Sequence, residues 1–127
     1  MLDYQDEVWV CLLRIKGLLV SNHGRIKLPE YWLVMSNGGM KFIKTKPTFG
    51  VITSASKNAK HKYYGLRNRR LGSLKIHQLV CEAFHGVKPS EKHVVIHIDE
   101  NGLNNKPENL KWGTQKENLN GEKFIAY

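Results

Sequence analysis

The chain has 127 residues, with 20 Lys/Arg against 11 Asp/Glu and a formal net charge of +9. That length fits one domain with a modest core. No apolar run approaches the ~18 residues of a membrane span, and residues 1–7 lack the basic-then-apolar order of a secretory leader, so cytoplasmic residence is the expectation. Cys11 and Cys81 have no Cys-x-x-Cys partner, which argues against a structural zinc site; both read as buried free thiols.

The charge is unevenly placed. Residues 1–13 hold three acids and no Lys or Arg, residues 14–75 hold fourteen Lys/Arg against Glu30 alone, and residues 76–127 hold six against seven acids. A concentrated basic stretch is the electrostatic footprint of a polyanion binder. The chain therefore divides into a basic, β-rich region at 1–75 and a near-neutral region at 76–127.

Taken in order, Glu7 to Ile15 reads as a strand or short buried element. Leu18 to Val20 and Arg25 to Lys27 read as a hairpin around Ser21–Gly24, with Gly24 free to take a positive φ. Tyr31 to Met35 and Gly39 to Ile43 alternate weakly about a turn at Ser36, Asn37 and Gly38, and Pro47 breaks the pattern. Residues 28–75 are otherwise the least regular. Two basic clusters, Lys57, Lys60 and Lys62, then Arg67, Arg69 and Arg70, flank Tyr63 and Tyr64. Together with Arg25 and Lys27 they are the candidate nucleic-acid contacts, since cations beside aromatics suit phosphate contact plus base packing. The competing reading is that the tyrosines pack a small sheet.

From residue 76 the period changes. Ile76, Leu79, Val80, Ala83 and Phe84 fall at helical spacing, and Gly86 and Pro89 end the helix. Val94 to Ile98 reads as a strand, Asp99 to Gly102 as a turn, 103–108 as a loop and Leu110 to Trp112 as a second strand. Gly113 and Thr114 are then expected to open a helix, with Thr114 and Glu117 as its capping box and Asn118 about one turn in. The chemistry concentrates here. His97 stands in an apolar run, followed by Asn104, Asn105, Asn109 and Asn118. An imidazole is the natural general base near neutral pH, and amide oxygens can hold it or ligate a hard cation. Asn104 and Asn105 are expected to bond loop backbone, His77 to pack or hydrogen-bond at its helix start, His85 to favour the helix dipole, and Trp112 to sit in the core.

The pattern His97-x-Asp99, Asn104-Asn105, Glu108-Asn109-Leu110, Trp112-Gly-Thr114 and Asn118 resembles the HNH endonuclease family, in particular the phage and intron-encoded branch with a homing type of enzyme. His77 to Phe84 resembles the helix that precedes the motif there, and the Trp9 region with Val20 to Lys27 resembles an attached N-terminal module. The resemblance implies an α+β fold: a small β-rich N-terminal part, a helix, and a ββα-metal finger. It implies an enzyme that cuts double-stranded DNA by nicking, with one Mg2+ (or Mn2+) per site and 3′-hydroxyl and 5′-phosphate products. His97 takes the general base's place, Asn109 that of the residue orienting it, and Asn118 that of a metal ligand. The family usually has a second ligand immediately before the base; here that residue is Ile96, and Asp99 is the candidate substitute. A partner protein or second copy would allow double-strand cleavage. The alternative is a DNA-binding protein on a catalytically decayed HNH scaffold.

Overall fold

The computed structural model describes residues 5–54 and 62–114, together with the backbone at 125–126. The first sheet is antiparallel, in the order β1 (Trp9–Cys11), β2 (Leu19–Ser21), β3 (Ile26–Lys27). The stretch from Glu7 to Ile15, expected as a strand or short buried element, forms a strand only at β1. After Cys11 the backbone folds back, with the Leu12 N–H donating to Leu18 O at 3.1 Å and that of Ile15 to Leu12 O at 3.2 Å. This fold-back buries Leu12 and Leu18 and leaves Leu13 98% exposed. Between β2 and β3, Ser21 Oγ accepts the N–H groups of His23 and Arg25, each at 3.1 Å, and Gly24 adopts φ +85°.

β4 (Tyr31–Val34) and β5 (Met40–Ile43) form a separate hairpin, closed by Met35 N–H to Gly39 O at 2.7 Å. The third sheet, β6 (Val51–Ser54), β7 (Lys62–Asn68) and β8 (Gly72–Lys75), occupies the stretch that looked least regular in sequence. Its β7–β8 turn is fixed by Asn68 Oδ1, which accepts the N–H groups of Arg70 and Leu71.

The helix α1 spans Ile76–His85, where the apolar spacing placed it. It leads to the last sheet, in which β9 (His93–His97) is central between β10 (Leu110–Thr114) and β11 (Ile125–Ala126). A single 3-10 turn, Pro107–Asn109, precedes β10. Gly113 and Thr114 are therefore the end of a strand. The expected capping box and helix beyond them lie outside the described residues. The fold is mixed, with many antiparallel strands and one helix among the described residues, in keeping with an α+β class; the ββα-metal finger as a unit is not defined by them.

One core joins the first and third sheets, α1 and the last sheet. Val20 and Ile26 of the first sheet pack with Ile76, Leu79 and Val80 of α1 and with Val95 and Leu110 of the last sheet. Burying each such side chain stabilises by about 1.5–3 kcal/mol, so packing links residues on both sides of position 75. No helix among the described residues is long and apolar enough to cross a membrane.

Candidate active site

His97 ends β9, in register with Leu110 on one side and Ile125 on the other. Strand alternation puts Val95 and His97 on the same face, and Val95 lies in the core. The His97 ring is fully buried and lies edge-on to His77, from the first turn of α1, with centroids 5.4 Å apart. His77 in turn meets the Tyr63 ring at 5.6 Å. Tyr63 thus supports the site from the third sheet, and the expected packing role of His77 proves to be packing against His97.

The imidazole is held by Asn105, whose Oδ1 lies 2.9 Å from Nε2. An amide oxygen only accepts, so Nε2 donates, and the neutral ring carries its lone pair on Nδ1. Burial pushes the His97 pKa below its usual 6.5, partly offset by the Asn105 hydrogen bond and the charge of Asp99. Asn105 is itself buried, and its Nδ2 has no hydrogen-bond partner among the described residues. Asn105 was expected to serve only the loop backbone. Sequence gave no means of choosing it from its neighbours, because which amide meets the ring depends on the path of the loop.

The N-terminal turn reaches this residue. A Cβ placed on Gly24 would stand 2.9 Å from Asn105 Cβ and 3.2 Å from Asn105 O. Only a glycine lets the two backbones approach so closely.

Asn109 sits at the end of the 3-10 turn with its side chain directed back into the 99–104 loop. Its Oδ1 accepts the Asp99 N–H at 3.0 Å, and its Nδ2 donates to Asp99 Oδ1 and to Asn104 O, both at 2.9 Å. The resemblance gives Asn109 the role of orienting the ring; the amide within hydrogen-bond distance of the ring is that of Asn105. Asn109 acts one step away, since its backbone oxygen accepts the N–H of Ile98 at 2.8 Å.

Asp99 binds the loop together. Its Oδ1 also accepts the Asn101 N–H at 2.8 Å, and its Oδ2 accepts from Asn104 Nδ2 at 2.8 Å. Desolvation is the largest single influence and raises its pKa, but the hydrogen bonds from Asn104, Asn101 and Asn109 and the nearby His97 together hold the carboxyl below the usual carboxylate range. A carboxylate offers about four acceptor positions, and three donors take most of these. Asp99 can therefore give a cation little without releasing a loop contact. Ile96 is fully buried, and no group of three or more His, Cys, Asp or Glu among the described residues could hold a metal. Asn118 lies outside the described residues. Taken alone, the described side chains do not make up a metal site.

The candidate nucleic-acid contacts separate. Arg25 is a correction: its guanidinium is 3% exposed and pairs with the buried Glu7 carboxylate through Nη2 and through Nε at 2.9 Å. It also lies over the rings of Trp9 and Phe49. An internal ion pair leaves no charge for a phosphate. Lys27 approaches Glu30 at 3.5 Å on the surface. Lys62, Arg67, Arg69 and Arg70 are exposed, with Arg70 stacked 4.2 Å over Tyr31. Lys57 and Lys60 lie outside the described residues.

Cys81 is buried and its thiol is pushed up to about 12 by desolvation, whereas Cys11, expected to be buried, is exposed. His85 reaches Pro107 O at 2.6 Å, and Trp112 packs on the core while donating from Nε1 to Gly86 O at 2.9 Å. The first ties α1 to the 3-10 turn, the second ties the end of α1 to β10.

A buried histidine on an antiparallel hairpin, oriented by an amide and braced by an Asn–Asp loop, defines a candidate proton-transfer site on a small mixed α and β scaffold. Residues 74–120, a little over a third of the chain, match the family model described as HNH endonuclease. That match covers α1, β9, β10 and the loop between those two strands. Neither a characterised protein nor a solved structure gives a match.

Proposed function

We propose that the chain is a DNA endonuclease that hydrolyses phosphodiester bonds in double-stranded DNA, with His97 as general base. The observation that carries this reading is His97 held through Nε2 by Asn105 at 2.9 Å, inside the matched segment. That contact fixes the tautomer whose Nδ1 can take a proton. In the proposed step, Nδ1 removes a proton from water as the water oxygen attacks phosphorus. The P–O3′ bond breaks, leaving a 5′-phosphate and, once the departing oxygen is protonated, a 3′-hydroxyl. The ring has no exposure in the free protein, so the chain covering it must be displaced when the phosphodiester engages.

HNH nucleases generally use a divalent metal ion. Here we assign Mg2+ or Mn2+, one per site, with Asn118 as a ligand and Asp99 as at most a single-oxygen contributor. When bound, such an ion supplies positive charge against the phosphate oxygens. Asn109 keeps the loop beneath Asp99 in place. Lys27, Lys57, Lys60, Lys62, Arg67, Arg69 and Arg70 are the proposed phosphate contacts, and one site per chain favours nicking.

The test is relaxation of supercoiled plasmid with magnesium, with manganese and with a chelator, comparing the unaltered chain with His97→Ala. Metal-dependent nicking that disappears in the variant, with duplex binding retained, is the expected result. Equal nicking by both proteins would remove His97 from the chemistry. Binding without cleavage by either, on plasmids of varied sequence, would favour the decayed scaffold.

A further inference from the structure

The β4–β5 hairpin presents an apolar face to solvent. Antiparallel register pairs Trp32 with Phe42 and Val34 with Met40, and alternation sets these four on one side of the ribbon. Trp32 is 62% exposed, Val34 68%, Met40 61% and Phe42 38%, with the Trp32 and Phe42 rings 5.1 Å apart. A contiguous exposed patch of this kind marks an interaction surface. The charge around it selects the partner. Residues 30–54 contain Lys41, Lys44 and Lys46 against one acid, Glu30, which approaches Lys27 at 3.5 Å, and Arg70 stacks on Tyr31 at the base of the same hairpin, so the surround is net positive. Two copies meeting here would bring like charges together, whereas a polyanion complements them.

The geometry points to the β4–β5 ribbon as a DNA-reading element that enters the major groove of the duplex, its Trp32–Phe42 face lying on thymine methyl groups and Lys44 and Lys46, just beyond β5, near the phosphates. The ribbon fits dimensionally, because adjacent strands lie about 4.8 Å apart and a major groove about 12 Å wide admits a two-stranded β-ribbon. Thymine alone offers that groove a methyl group. The inference rests on the reading that this chain binds duplex DNA, and it does not depend on cleavage.

The experiment measures affinity of the full chain for a mixed-sequence thymidine duplex and for the same duplex with deoxyuridine throughout, which removes the methyls without changing charge. The comparison is repeated with Trp32→Thr/Phe42→Thr, which keeps β-branched residues in the strands. Weaker binding to the deoxyuridine duplex is expected, by about fourfold for each methyl covered, corresponding to about 0.8 kcal/mol per buried methyl group. The difference should vanish in the double variant while the salt dependence stays unchanged, since no phosphate contact is lost. Equal affinity of the unaltered chain for the two duplexes overturns the proposal, and needs no variant to fold. Self-association that the double variant abolishes also overturns it, in favour of a second copy as occupant. If the duplexes are distinguished but plasmid is never cut, the ribbon stands and only the nuclease reading falls. Failure of the unaltered chain to bind either duplex overturns both.

Discussion

Replacing Gly24 by alanine should damage both stability and the histidine site, although Gly24 lies 73 positions before His97 in the chain. Two costs add. A non-glycine residue at φ +85° is strained by about 1–2 kcal/mol. The new methyl would also stand 2.9 Å from Asn105 Cβ, and overpacking of that kind costs about 1–3 kcal/mol. Gly24→Ala should therefore lose about 2–5 kcal/mol. Gly38 supplies the control, because it has φ +87° and nothing within 4 Å of an added Cβ. Gly38→Ala should show only the backbone strain, about 1–2 kcal/mol. Urea unfolding of the three proteins measures both losses, with the midpoint shift interpreted at constant slope. Because the overlap falls on the residue holding Nε2, plasmid nicking should also fall in Gly24→Ala. Equal destabilisation by the two substitutions, with nicking unaffected, would refute the packing of this turn against the site.

Other outcomes follow from the same geometry. The His97 pKa lies below 6.5 in the folded chain, so between the folded value and 6.5 the unfolded chain holds a proton the native one lacks. This contribution makes stability rise with pH through that window and fall as the solution is acidified below 6.5. The acid limb of the cleavage profile should lie below pH 6.5 for the same reason, and a limb at or above 6.5 would contradict the burial of the ring. Glu7→Gln leaves Arg25 buried without its counter-charge and should cost about 3–5 kcal/mol in urea unfolding; a change confined to DNA affinity would return Arg25 to the interface. Joint replacement of Arg67 and Arg69 by Gln should flatten the dependence of duplex affinity on salt, by a slope change of about 0.9 per lost contact. An unchanged slope would remove both from the interface.

Elements with a single dominant signal were legible in sequence. α1 ran from Ile76 to His85 because the apolar spacing and Gly86 agreed. The hairpins at Gly24 and Gly38 followed from turn chemistry. The third sheet was obscured because β7 mixes Tyr63 and Leu66 with Lys62, Gly65 and Arg67, so no clean alternation survives. Arg25 looked like a surface cation because its counter-ion, Glu7, is distant in sequence and the pair forms only when β1 and the β2–β3 turn pack. At the site, His97 stood out by its apolar setting, whereas Asn104, Asn105 and Asn109 were chemically alike. The loop then gave them different tasks, one on the ring and two on Asp99.

The central position of β9 limits how a substrate can arrive. At His97 its backbone is flanked on one side by Leu110 and on the other by Ile125, so neither edge of the strand is open to a further chain. Recognition by strand addition is thereby closed at this point. On the proposed nuclease reading, a phosphodiester would meet His97 from the face on which His77 packs, not as an extended segment laid beside β9.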